Sequence, residues 1–203
     1  MRPHDPVPVR HHDPAVPPVE RPIAPPPPDD AGAVAHRGFG ARLLSAVRLD
    51  ASVYDEVEHD PRALPQAAAV VGLAALTTAL GALGMLGLRG LLAGVVLAGV
   101  SWAVWTTIVW AIGVKLLHHT SDFEELLRTL GFVAAPQLLW LLAIVPWPLL
   151  HGLLAVVIGI MTLVSFFLAV RQALDIGSGR ALLVSLLAVG SYLVLGVAVG
   201  GLV

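Results

Sequence analysis

Five long apolar runs occupy almost all of the chain beyond residue 63: Leu64–Leu88, Leu91–Leu117, Leu126–Val145, Pro148–Val170 and Ala181–Val203. An α-helix rises about 1.5 Å per residue, so about 20 residues cover the roughly 30 Å of bilayer hydrocarbon. In that layer the backbone must satisfy its own hydrogen bonds, which leaves helices as the solution for segments of this length. The fold class that follows is all-α, a polytopic integral membrane protein with five transmembrane helices. Composition agrees, with 57% hydrophobic and 13% charged residues and a mean hydropathy of +0.82.

The formal charge of −2 gives no basic excess for a nucleic-acid partner. Cysteine is absent, which excludes disulfides, thiolate metal sites and a cysteine nucleophile. The first 35 residues lack an apolar stretch of signal-peptide type, so the first run is expected to act as an uncleaved insertion signal. Heavy use of Ala, Gly, Val, Leu, Arg and Pro suggests a GC-rich bacterial genome, and hence the cytoplasmic membrane.

Residues 1–37 read as a disordered proline-rich tail, with eleven of the sixteen prolines before residue 37. His4, Asp5, His11, His12 and Asp13 have no fixed spacing, so a flexible tail is preferred to a metal site. Residues 38–60 read as amphipathic juxtamembrane helices, ahead of a membrane domain over 61–203. Phe39, Leu43 and Val47 recur at helical spacing among Arg37, Arg42 and Arg48, and this basic face is expected in the headgroup layer rather than under the bundle. A second turn of helix follows, capped by Asp50 or Ser52, with Val53, Tyr54 and Val57 on its apolar face and Pro61 at its end. Its acidic residues Asp55, Glu56, Glu58 and Asp60 are expected to face water or a partner.

Basic residues set the expected topology. Arg42, Arg48, Arg62, Lys115, Arg128, Arg171 and Arg180 fall on one side of a five-span layout and only Arg89 on the other. The positive-inside rule then places the N-terminus in the cytoplasm and the C-terminus outside. Glycine and alanine recur at Gly81, Gly84, Gly87, Gly94, Ala98, Gly99, Ala103, Gly190, Gly196 and Gly200. Small residues let helices approach closely in lipid, either within one bundle or between protomers of a homo-oligomer. Trp147 suits an interfacial belt, whereas Trp102, Trp105, Trp110 and Trp140 read as packing residues.

The runs carry few chemical groups. Pro136 and Gln137 interrupt the third run, where the proline is expected to kink the helix and the amide to bond a neighbour or form a small polar site. Between the second and third runs, His118, His119, Asp122 and Glu125 resemble a metal cluster. Ser121 with Glu124 as a capping box, and Glu124 with Arg128 at i, i+4, account for the segment without metal. Glu124-Glu125…Arg128 falls one residue short of the motif of intramembrane CAAX-type proteases. No nucleophile elbow, zinc-helix motif or phosphate-binding loop occurs. No catalytic site, cofactor or metal is expected.

The stretch from Asp122 to Leu139, followed by the fourth run and the segment from Val170 to Leu187, resembles the Yip1 domain family. Gly131, Phe132 and Pro136 match its Gly-aromatic…Pro element, and Gly179, Arg180 and Ala181 its entry to the fifth span. The resemblance covers about residues 45–203 and implies a compact five-helix membrane domain without a catalytic site. The acidic-aromatic signature of eukaryotic members is absent, so their role in vesicle traffic is not carried over. Two functions follow as expectations. One is a non-enzymatic scaffold or adaptor that organises proteins or lipids at the cytosolic face, with Arg171 and Asp175 as contacts or as a helix-end ion pair. The other is a small transporter, channel or lipid-moving protein acting through the Pro136–Gln137 break, as an oligomer. The partners implied are the lipid bilayer and a cytosolic or membrane protein.

Overall fold

The computed structural model describes residues 37–117, 121–144 and 147–200, and every element among them is helical. The proline-rich tail, the His118–His119 pair and Pro146 lie outside the described residues. Two short helices come first, α1 (Phe39–Val47) and α2 (Ser52–His59). Leu49 ends α1 in the left-handed region at φ 60°, where its N–H and that of Asp50 donate to the carbonyls of Ala46 and Ser45. This is a Schellman closure made without glycine. Asp50 then accepts from the Ser52 N–H at 3.0 Å and hydroxyl at 2.7 Å, capping α2 from just outside it. Those bonds hold the Asp50 carboxyl below its ordinary pKa. Val53, Tyr54 and Val57, the apolar face read from their spacing, are fully buried against α4 and α5.

The first two apolar runs form one element, α3 (Ala63–Trp110), broken at Gly87. On a straight helix Val71 and Trp102 would lie about 46 Å apart. Both line the same cavity, as do Ala75 and Ala98, so the chain turns back at Gly87 and the two limbs face each other. The turn takes a single residue. Gly87 has φ 60° and ψ −168°, a region essentially closed to side-chain-bearing residues. A six-residue π segment, Ala111–Leu116, finishes the second limb, with the Lys115 ammonium 4.8 Å over the Trp110 ring.

Helix α4 (Phe123–Gly131) starts at a capping box one residue later than the sequence suggested. Asp122, rather than Ser121, is the cap, and Glu125, rather than Glu124, reaches back to its N–H at 2.8 Å. Glu124 does lie near Arg128, at 3.9 Å. Past Gly131 the chain tightens into a 3₁₀ segment over Phe132–Ile144 that includes Pro136. The expected kink is thus a change of helix type, which at about 2.0 Å per residue stretches this span. Helix α5 (Pro148–Ala173) starts with proline at its first position, where the missing N–H costs nothing. Asp175 closes it at φ 48°, with the Ile176 N–H on the Arg171 carbonyl and the Asp175 N–H on that of Gln172. Helix α6 (Ser178–Gly200) packs on α3 and α5.

Among the described residues, four segments are long and apolar enough to cross a membrane: Ala63–Leu80, Gly87–Leu116, Phe123–Ala143 and Pro148–Ala173. The fifth run contributes a shorter apolar stretch, Ser178–Val194. Among the described glycines, the tight contacts fall at Gly113 and Gly131, outside the repeated small-residue rows. A Cβ on Gly131 would sit 2.6 Å from Ala67 Cβ and 3.1 Å from its Cα, whereas Gly94, Gly99 and Gly190 have open space. Backbone cannot retreat as a flexible side chain can, so Gly131→Ala should lower stability by roughly 1–3 kcal/mol. Thermal or denaturant unfolding in detergent measures this, with Gly99→Ala as the near-neutral control.

Candidate functional site

A half-open cavity of about 380 Å³ lies among both limbs of α3, the α4–3₁₀ junction, α5 and α6. Its walls are mostly apolar, with Trp102, Trp105 and Phe166 as the large surfaces. The aromatic groups are held by protein contacts. Trp105 stacks on Tyr192 at 4.5 Å and meets Phe166 edge-on at 5.1 Å, while Trp102 donates its indole N–H to the Leu127 carbonyl at 3.1 Å. Ser101 and Tyr192 bond each other at 2.9 Å. Gln137 enters this wall from the 3₁₀ segment, one turn beyond Ala134. Its backbone carbonyl accepts from the Thr77 hydroxyl at 3.3 Å, so the neighbouring helix answers the main chain rather than the side chain. The Gln137 amide has no hydrogen-bond partner among the described residues. A free amide in an apolar cavity at membrane depth favours a bound polar group.

A charged network ties α1 and α2 to the start of α3. The Arg42 guanidinium, 1% exposed, reaches Glu56 at 3.0 Å, Asp60 at 2.6 Å and the Gln66 side chain at 3.0 Å. Arg37 adds Ser45, Asp50, Ser52 and Glu56. The sequence placed Arg42 at lipid headgroups and Glu56 and Asp60 toward water. They neutralise each other inside the protein instead, because one side of a short amphipathic helix pair must face the bundle. Both arginines line a polar cleft of about 410 Å³ with His59 and Arg62, yet their donors are taken up by these partners.

Two further bonds lock α2 down. The Tyr54 hydroxyl meets Ser165 of α5, and burial pushes its pKa up to about 12. Arg128 of α4, 6% exposed, donates through Nη2 to the Glu58 carbonyl at 2.7 Å. Burial raises Glu58 to about 7, and the nearby carboxylates of Asp175, Glu125 and Asp55 push the same way against the opposing pull of His59. The His59 ring bonds the Asp55 carbonyl at 2.9 Å, which raises its own pKa.

The residues singled out in the sequence do not converge on one site. Gly131 and Phe132 are packing positions, Phe132 being fully buried in the core. Pro136 is buried in the 3₁₀ segment, and only Gln137 reaches the cavity. Arg171, Asp175 and Arg180 are exposed at the α5–α6 connection. Arg171 and Asp175 form no ion pair, since Asp175 takes the left-handed position that closes α5. Of the cavity wall, Trp102 and Trp105 were visible as aromatics; Ser101, Thr162 and Tyr192 carried no local signal.

A multi-pass helical membrane protein with a half-open intramembrane cavity and a charged collar is the class this geometry defines. The Yip1 domain model matches residues 50–200, from the Asp50 cap to the end of α6. The chain belongs to the Yip1 domain family. No curated protein and no solved structure matches it.

Arg42→Met should destabilise the fold by roughly 3 kcal/mol, because it removes the buried guanidinium that Glu56 and Asp60 share and leaves Glu56 to the more exposed Arg37. Arg48→Met, at an exposed position, should change it by less than about 0.5 kcal/mol. Chemical unfolding of both variants in detergent gives the comparison.

Proposed function

We propose that this protein is a non-enzymatic lipid-handling protein of the bacterial cytoplasmic membrane, crossing it five times with the N-terminus inside. The observation that carries this reading is the unpartnered Gln137 amide in the wall of the 380 Å³ cavity. The size suits one acyl or isoprenoid chain, the aromatic walls suit its hydrocarbon, and the amide suits a carbonyl or hydroxyl near its head. Among the described residues that line the cavity, no acid, base and nucleophile are arranged together, so binding and movement of an intact lipid fit better than its chemical conversion. Quantitative mass spectrometry of lipid co-purified in mild detergent tests this. Near-stoichiometric lipid is expected in the parent, with about tenfold less in Gln137→Leu and in the cavity-filling Ala98→Phe. A lipid-free parent, or variants that retain lipid in full, would sink the idea.

A second reading, the cytosolic adaptor, is favoured by Arg171, Asp175 and Arg180, which are exposed at one connection. Photo-crosslinking in native membranes from Tyr54, Phe123 and Asp175 separates the two. The buried Tyr54 and half-buried Phe123 should crosslink within the chain. A reproducible protein partner captured from Asp175 supports the adaptor, and lipid or a second copy of the chain alone excludes it.

A further inference from the structure

Away from the cavity, α2 carries an arrangement that its packing leaves unexplained. Asp55, Glu58 and His59 stand at i, i+3 and i+4, so they share one helical face. One carboxylate oxygen from each acid and one ring nitrogen of His59 all lie within 4.8 Å of one another. Glu58 is only 8% exposed, yet among the described residues its carboxylate has neither a hydrogen bond nor an ion pair. Arg128, which reaches this residue from α4, binds the Glu58 backbone carbonyl instead. A carboxylate on a largely buried side chain, left without a partner, is unfavourable. Glu125 of α4 and Asp175 beyond α5 add negative potential around it rather than relieving it.

We propose that Asp55, Glu58 and His59 bind a divalent transition-metal cation of the zinc or manganese type. Two carboxylate oxygens and an imidazole nitrogen suit these ions better than calcium, which prefers an all-oxygen shell, or copper(I), which prefers sulfur. Ligands about 2.1 Å from one zinc ion stand roughly 3.4 Å apart in a tetrahedral site. Asp55 and His59 are exposed, so their side chains can rotate inward by the small amount this needs, while Glu58 is held by its surroundings. The remaining positions belong to water. The bound cation neutralises the carboxylate where α2 meets α4, and so fastens the collar.

Calorimetric titration of Zn²⁺ into the full chain in lipid nanodiscs tests the proposal. One saturable site per chain is expected, with affinity at least about tenfold weaker in Glu58→Gln and in Asp55→Asn. It should persist when His11 and His12, or His118 and His119, are replaced by alanine. Far-UV circular dichroism checks folding, and Asp55→Asn, at an exposed position, carries the test if Glu58→Gln loses helix. The proposal is overturned if no stoichiometric binding occurs, if both α2 variants bind as the parent does, or if either histidine-pair variant abolishes the site. It is independent of the lipid reading, since lipid co-purification reports only on the cavity.

Discussion

The buried Arg42 guanidinium is what makes α1, α2 and the start of α3 a single body. It bonds Glu56 on α2, Asp60 just beyond α2 and Gln66 on the first turns of α3. A buried cation is tolerable only when its donors are answered, and the plane of a guanidinium can answer three groups from three directions at once. Each of these groups then constrains the others. Glu56 and Asp60, turned toward Arg42, flank the face on which α2 presents Val53, Tyr54 and Val57 to α4 and α5. The collar is therefore determined jointly by the charge network and by the hydrophobic burial beside it.

The sequence was informative about class and less so about placement. Length and hydropathy foretold helices at membrane depth, because that signal is summed over many residues. Val53, Tyr54 and Val57 were legible as an inward face because a period of 3.6 points them one way. Arg42 was misplaced for a physical reason. In one dimension an arginine on an amphipathic helix looks alike beside a phosphate or a carboxylate, and its partners stand 14 to 24 residues further on. The capping box slipped by one because Ser121 and Asp122 are both good caps, and only the tertiary direction of entry into α4 selects between them.

The cavity was legible in one residue only. Gln137 stands out as an amide among apolar neighbours, but its wall gathers side chains from five parts of the chain, none of which carries a motif. The long 3₁₀ segment that presents it was also hidden. Pro136 announces a break, yet does not say whether the chain bends or tightens. Here it tightens, and the Gln137 carbonyl accepts from Thr77 on the first limb of α3.

Turning the chain at Gly87 alone leaves no loop between two long limbs. A loop of several residues absorbs an inserted or deleted position, whereas this junction has no slack. One residue added between Gly87 and Trp102 would rotate everything beyond it by about 100° and advance it by about 1.5 Å. Ser101 would swing away from Tyr192, Trp102 from the Leu127 carbonyl, and Ala98 from Ala75. The number of residues on each side of Gly87 thus behaves as a structural parameter in its own right, and the two limbs act as one ruler folded at its midpoint.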